Sequence, residues 1–116
     1  MDLSMIEEAQ RALCKQFGTA FASTPPDDKI AFALSTAGLK PINGLRHPLT
    51  HGMSGWYIWC GKAFSESADF FAPQCARHFY ENEPDTGRLL GLPPGYRFLQ
   101  AGDYLDVWYE EKLLYV

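Results

Sequence analysis

The chain has 116 residues, 47% hydrophobic, 15% aromatic and 21% charged, enough for one domain with a single core and too short for two of ordinary size. Fourteen acids against ten bases leave a formal charge of −4, and the whole excess falls after residue 50, where nine acids meet five bases; before it, five meet five. A phosphate backbone demands a basic stripe, so this balance argues against a nucleic-acid ligand and favours a basic protein as any partner.

The first predicted element is helical. Ser4-Met5-Ile6-Glu7 matches the capping box, in which serine and glutamate satisfy exposed helix-end amides reciprocally. Ile6, Ala9, Leu13, Phe17 and Ala20 or Phe21 then recur at steps of three and four, so an amphipathic core-facing helix is expected over residues 1–22. Ser23-Thr24-Pro25-Pro26-Asp27-Asp28 breaks it, because adjacent prolines cannot continue a helix and aspartate caps the next one. Between Lys29 and Ala37, Ile30, Phe32 and Leu34 alternate as in a strand, yet the alanines and the closing Gly38 predict a short helix. Pro41 to Leu45 reads as extended and His47 to Gly55 as a loop. Trp56-Tyr57-Ile58-Trp59-Cys60, ended by Gly61, is the clearest strand.

Beyond it, Ser65 to Asp69 offers polar caps and Pro73 suits the first turn of a helix whose apolar face carries Cys75, Phe79 and Ala72 or Ala76. That helix stops before Pro84, with Glu81, Glu83 and Asp85 at the end its dipole does not favour. Leu89, Leu90 and Leu92 lead through Pro93-Pro94-Gly95 into a hairpin of Tyr96 to Gln100 and Tyr104 to Tyr109 around Ala101-Gly102-Asp103. The order of elements predicts an α+β fold, a small single domain with an antiparallel sheet and C-terminal hairpin packed against two to three helices on one side. No apolar run is long enough for a membrane span or a signal-peptide core, and cytoplasmic residence is the expectation.

No catalytic constellation assembles from these residues. Cys14, Cys60 and Cys75 are odd in number and read as reduced packing thiols. Cys75-x-x-His78 would be half a zinc site, with Cys60 and His51 to complete it, but no second close pair exists, so neither metal nor cofactor is expected. Cys60 or Cys75 with His47 or His51 matches no activated-thiol signature. Asp103 and Asp106 stand three apart in the hairpin and so point to opposite faces. Gly52-Met53-Ser54-Gly55 lacks the lysine and helix of a phosphate loop and the pattern of a nucleophile elbow. Trp56 and Trp59 should likewise face opposite sides of their strand.

The run Arg46 to Trp59, then Asp69-Phe70-Phe71-Ala72-Pro73, Leu92-Pro93-Pro94-Gly95-Tyr96-Arg97-Phe98-Leu99 and Asp106-Val107-Trp108-Tyr109, resembles the Imm33-like bacterial immunity proteins over residues 29–116. The resemblance implies a cytoplasmic, non-catalytic bacterial protein. It would bind a cognate toxin or secretion-system effector with a basic surface and occlude that toxin's active site or substrate surface. The toxin-contacting residues expected from charge and aromatic content are Glu81, Glu83, Asp85, Asp103, Tyr104, Asp106, Trp108, Tyr109, Glu110 and Glu111. The alternative is a small enzyme or ligand-binding domain built on the His47 to Trp56 loop, which would need His47 and His51 in a deep pocket beside Ser54 or Cys60.

Overall fold

The computed structural model describes residues 3–62, 64–65, 67 and 69–115. In chain order the elements are α1 (Leu3–Gln16), β1 (Lys29–Phe32), β2 (Ile42–Arg46), β3 (Met53–Cys60), β4 (Ala72–Cys75), α2 (Ala76–Asn82), α3 (Pro84–Gly87), β5 (Tyr96–Ala101) and β6 (Tyr104–Tyr109), with 3-10 turns at Leu34–Thr36, Arg88–Gly91 and Glu111–Leu114. The strands form one sheet in the order β4-β1-β3-β2-β5-β6. β1 and β3 run parallel, and every other neighbouring pair is antiparallel. The fold is α+β, as the sequence predicts, with that one parallel pair added.

Alternation along the strands assigns the two faces. Ile30, Phe32, Ile42, Trp56, Ile58 and Phe98 point to the helix-covered side and share a core with Ile6 and Leu13 of α1, Phe79 of α2 and Leu89, Leu90 and Leu92. Gly44 lies on this face because the Phe98 ring rests against it: an added Cβ would stand 2.3 Å from the ring. Gly55 has φ +90°, and there β3 spends five residues, Met53 to Tyr57, where β1 spends three, Lys29 to Ala31. The glycine supplies the left-handed backbone this bulge requires.

Three predicted elements differ from the structure. Lys29 to Phe32 is a strand, not a helix, because it lies between β3 and β4 and buries Ile30 completely; tertiary pairing overrides the helical preference of its alanines. Ala72–Cys75 is the edge strand β4, and α2 starts only at Ala76, so Pro73 serves a sheet edge rather than a helix start. Glu66 and Ala68, inside the segment read as that helix's cap, lie outside the described residues. Finally, α1 ends at Gln16 rather than near residue 22, where Gly18 at φ +69° stops it and Thr19 N–H donates to Cys14 O. Its buried stripe is Ile6, Gln10, Leu13 and Cys14, leaving Ala9 exposed and Phe17 36% exposed.

Gln10 belongs to that stripe because a polar network crosses the core there. Its Nε2 donates to Tyr80 Oη and to Gly87 O, each at 3.0 Å. Tyr80 Oη donates to Thr24 O at 2.6 Å, and Trp56 Nε1 reaches both Thr24 Oγ1 and Leu90 O at 3.1 Å. Beside this network sits Arg46, with no exposed surface at all. Its guanidinium donates to four main-chain carbonyls: Ser54 O at 2.9 Å, Ala22 O and Leu92 O at 2.8 Å, and Ser23 O at 3.0 Å. Among the described residues no carboxylate is bonded to it. It thereby ties the chain after α1, the bulge of β3 and the Leu92-Pro93 entry to β5 into one unit.

Removing this side chain takes the guanidinium donor away from four main-chain carbonyls, two of them, Ser54 O and Leu92 O, in buried residues. Arg46→Ala should therefore cost about 3–5 kcal/mol, read as a drop in the urea midpoint. Arg46→Lys should recover little, since one ammonium has only three donors and no planar fork. A second expectation concerns alkaline pH. Burial pushes the Tyr80 hydroxyl from 10 up to about 12, so between those values the folded chain keeps a proton that the unfolded chain releases. Its contribution, of about 2–3 kcal/mol, is fully present below pH 10 and lost as pH rises through 12. Arg46, pulled down to about 10 mainly by burial, acts in the opposite sense over that range. Urea midpoints across this interval should therefore fall more steeply in the wild type than in Tyr80→Phe.

Candidate functional site

The sheet's other face carries no helix. In β3, Tyr57 and Trp59 point there, and Phe64 and Phe71 from the β3–β4 connection pack against them. The Phe71 ring lies edge-on 5.2 Å from Tyr57, Phe64 lies 5.0 Å from Trp59, and Phe70 and Phe71 are 4.9 Å apart. Trp59 is buried under this layer, while Trp56 is buried on the helix side, so the two tryptophans face opposite ways as their spacing predicts. No helical or strand period in the sequence marks Phe64, Phe70 and Phe71 as a cover for this face.

Toward β6 the outer face opens. The β5–β6 register pairs Arg97 with Trp108, Leu99 with Asp106 and Ala101 with Tyr104, so Tyr104, Asp106 and Trp108 share this face. Tyr104 is 61% exposed and Trp108 36% exposed, and Asp106 is exposed too. Asp103 occupies the two-residue turn after Gly102, whose φ of +58° at the first central position is the geometry of a type II′ hairpin. Asp103 and Asp106 are therefore separated by the turn as well as by strand alternation.

Tyr109 turns to the helix side, where its ring lies 5.2 Å from Tyr96 and covers Gly95; it remains half exposed. Glu110 is mostly enclosed, ion-paired to Arg97 Nη1 at 3.1 Å and approached by Lys112 Nζ at 3.7 Å. Arg97 itself stands 5.5 Å over the Trp108 ring, and its Nε is enclosed without a hydrogen-bond partner. Glu111 is exposed just beyond. The second acidic group lies apart, on the helix layer: Glu81 and Asp85 are exposed and Glu83 half-buried around the α2–α3 junction. Thr86 Oγ1 donates to Gln100 Oε1 at 2.8 Å, which ties α3 to the hairpin end of β5. The structure thus brings Tyr104, Asp106 and Trp108 together, sets Asp103 and Glu111 at the two ends of that strand, and engages Glu110 internally.

The His47 to Trp56 loop has a different organisation from a catalytic pocket. His47 Nδ1 is hydrogen-bonded to Leu113 O at 2.9 Å and its ring lies edge-on to Tyr57. His51 is exposed in a turn, while Ser54 is fully buried and donates to Lys29 O at 2.9 Å. Two open hollows of about 250 Å³ flank His47 and Tyr57, and neither is lined by His51, Ser54 or Cys60. Among the described residues no group of three or more His, Cys, Asp or Glu is placed to hold a metal ion. Cys75 ends β4, ahead of α2, so Cys75 and His78 do not share a helix face. No helix among the described residues is long and apolar enough to cross a membrane.

A single sheet backed by helices on one face, with acids and aromatics displayed along one edge, defines a small α+β domain whose exposed chemistry suits protein recognition. The chain belongs to the Imm33-like family: the Imm33-like domain matches residues 9–110. The match takes in most of α1, so the family's span starts well before residue 29. No curated protein and no solved structure matches the chain.

The three thiols provide a test of the packing. Burial raises the pKa of Cys14 and of Cys60 above the ordinary thiol value, whereas Cys75 is half-exposed and accepts a hydrogen bond from Lys29 Nζ at 3.0 Å. With a chromogenic disulfide reagent at mildly alkaline pH, one thiol should react quickly and two only after denaturant is added. Cys75→Ser should abolish the fast phase.

Proposed function

We propose that this protein is an immunity protein: it binds a cognate bacterial toxin, covers that toxin's active site or substrate-access surface, and performs no catalysis of its own. The observation that carries this reading is the Imm33-like domain over residues 9–110. The displayed hairpin agrees with it. Tyr104 and Trp108 offer rigid aromatic contact area, and Asp103, Asp106 and Glu111 give it a negative sign. A toxin that handles nucleic acid or nucleotides presents a basic cleft, and an acidic surface both fits such a cleft and accelerates encounter with it. Occupation of the cleft is sufficient for neutralisation. The cytoplasm of the toxin-producing bacterium, or of its kin, is where such binding protects.

Asp103, Asp106 and Glu111 are the contact residues in this reading, with Glu81, Glu83 and Asp85 as a second patch. Tyr109 contributes from the rim. Glu110 acts by holding Arg97 rather than by touching the toxin, since its carboxylate is already shared between Arg97 and Lys112.

Co-expression with the product of the adjacent gene tests the proposal. Growth rescue and a stable complex are expected, and a neighbour that is harmless and unbound would remove the immunity reading. In that complex, reversing Asp103, Asp106 and Glu111 together to lysine should lower the association rate at least tenfold at low salt, with the thermal midpoint nearly unchanged because all three are exposed. The same reversal at Glu81 and Asp85 determines whether the second patch participates.

A further inference from the structure

Resting on the immunity reading, we infer that the free edge of β6 takes up an extended, basic segment of the toxin as a seventh strand of the sheet. The sheet has two edges, β4 and β6. β4 is protected in the manner natural edges usually are: it is four residues long, contains Pro73 and runs directly into α2. β6 is six residues long, without proline or lysine, and its register to β5 is unbroken over six pairs. It lacks the devices that discourage strand addition.

The hairpin geometry says which main-chain groups are available. In an antiparallel pair, residues alternate between exchanging hydrogen bonds with the partner strand and turning their N–H and C=O away from it. The two-residue turn is closed by Ala101 and Tyr104, and Glu110 N–H donates to Gly95 O at 2.7 Å. Tyr104, Asp106, Trp108 and Glu110 therefore turn their main chain toward β5. Leu105, Val107 and Tyr109 turn theirs outward, a row of three donors and three acceptors to which no other described strand is paired.

The side chains select the occupant. An added strand would lie beside Tyr104, Asp106 and Trp108 on the outer face, an aromatic–acid–aromatic sequence at the two-residue period of a strand. Lysine or arginine at alternate positions of the incoming segment meets this sequence through an ion pair and through contact with ring faces. A second copy of β6 does not suit it. Antiparallel self-pairing would bring the Asp103 end of one strand to the Glu110-Glu111 end of the other and set the two Asp106 side chains near each other. Arg97 and Lys112 offset only part of that charge, because both are already placed around Glu110.

Hydrogen exchange on the complex of the full chain with its toxin reads this directly. The amides of Leu105, Val107 and Tyr109 should exchange fast in the free protein and slow at least tenfold in the complex. Val107→Pro removes an outward N–H without costing the β5 ladder a bond, and should weaken toxin binding at least tenfold while the near-ultraviolet circular dichroism stays native. Leu105→Pro is the second variant, and the exchange experiment stands alone if neither folds. A stable complex in which the three amides stay fast overturns strand addition and leaves the immunity reading intact. Failure of the wild type to bind or protect overturns both. Slow exchange of the same amides in the free protein, with concentration-dependent dimerisation, would assign the edge to a second copy instead and overturn the proposal.

Discussion

A cation with no exposed surface, held by main-chain carbonyls and bonded to no carboxylate among the described residues, sets the frame of this protein. Arg46 faces four main-chain carbonyls from three separated segments, and a buried charge is tolerable only when its donors are so completely engaged. Each of those segments is irregular: the chain after α1, the bulge of β3 and the proline-rich approach to β5. Irregular backbone has carbonyls that no ladder satisfies, and Arg46 satisfies them from one point. The neighbouring network from Gln10 through Tyr80 and Thr24 to Trp56 does the same for the helix layer. The buried polar groups beneath the helices are thereby committed to holding the fold together.

That commitment separates the two faces. Trp56, Phe98 and Tyr80 serve the core, and the Trp56 and Phe98 rings stand 5.5 Å apart. On the opposite face Trp59 is also spent on packing, beneath Phe64 and Phe71. What remains displayed is the β6 end of the sheet. The aromatic richness of the chain is thus mostly structural; on the hairpin Tyr104, Trp108 and the half-exposed Tyr109 stay displayed, while Phe17, Phe64 and Tyr115 are exposed elsewhere.

The legible parts of the sequence were those where local pattern and tertiary environment agree. Trp56 to Cys60 and the hairpin of Tyr96 to Tyr109 are aromatic and β-branched, with glycine where the chain must turn, and they fold as read. Lys29 to Phe32 and Ala72–Cys75 were misread because each is a short strand whose identity comes from its neighbours. β1 needs β3 and β4 on either side, and β4 tolerates Pro73 only because it lies at an edge. Nothing in the string marks Arg46 as buried, since a lone arginine before a His-Pro loop looks like surface. Its role depends on carbonyls contributed from residues 22 to 92. The displayed acids and aromatics are visible in the sequence only as a composition, and the register sorts them: Tyr104, Asp106 and Trp108 face one way, Tyr109 the other, and Glu110 turns to Arg97.

The Arg97–Glu110 pair shows why stability and recognition can coexist on one hairpin. Both groups are about three-quarters enclosed, so their attraction is less screened than that of a surface pair, and it fixes the end of β6 against β5 from the outer face. Trp108 lies over the same guanidinium and is held in place from below. The displayed aromatic is consequently preorganised by a charge pair that a ligand need not touch, which lowers the ordering cost of any contact made above it. Among the described residues no ion pair engages Asp103, Asp106 or Glu111, so their charges can be changed without loosening the sheet that presents them.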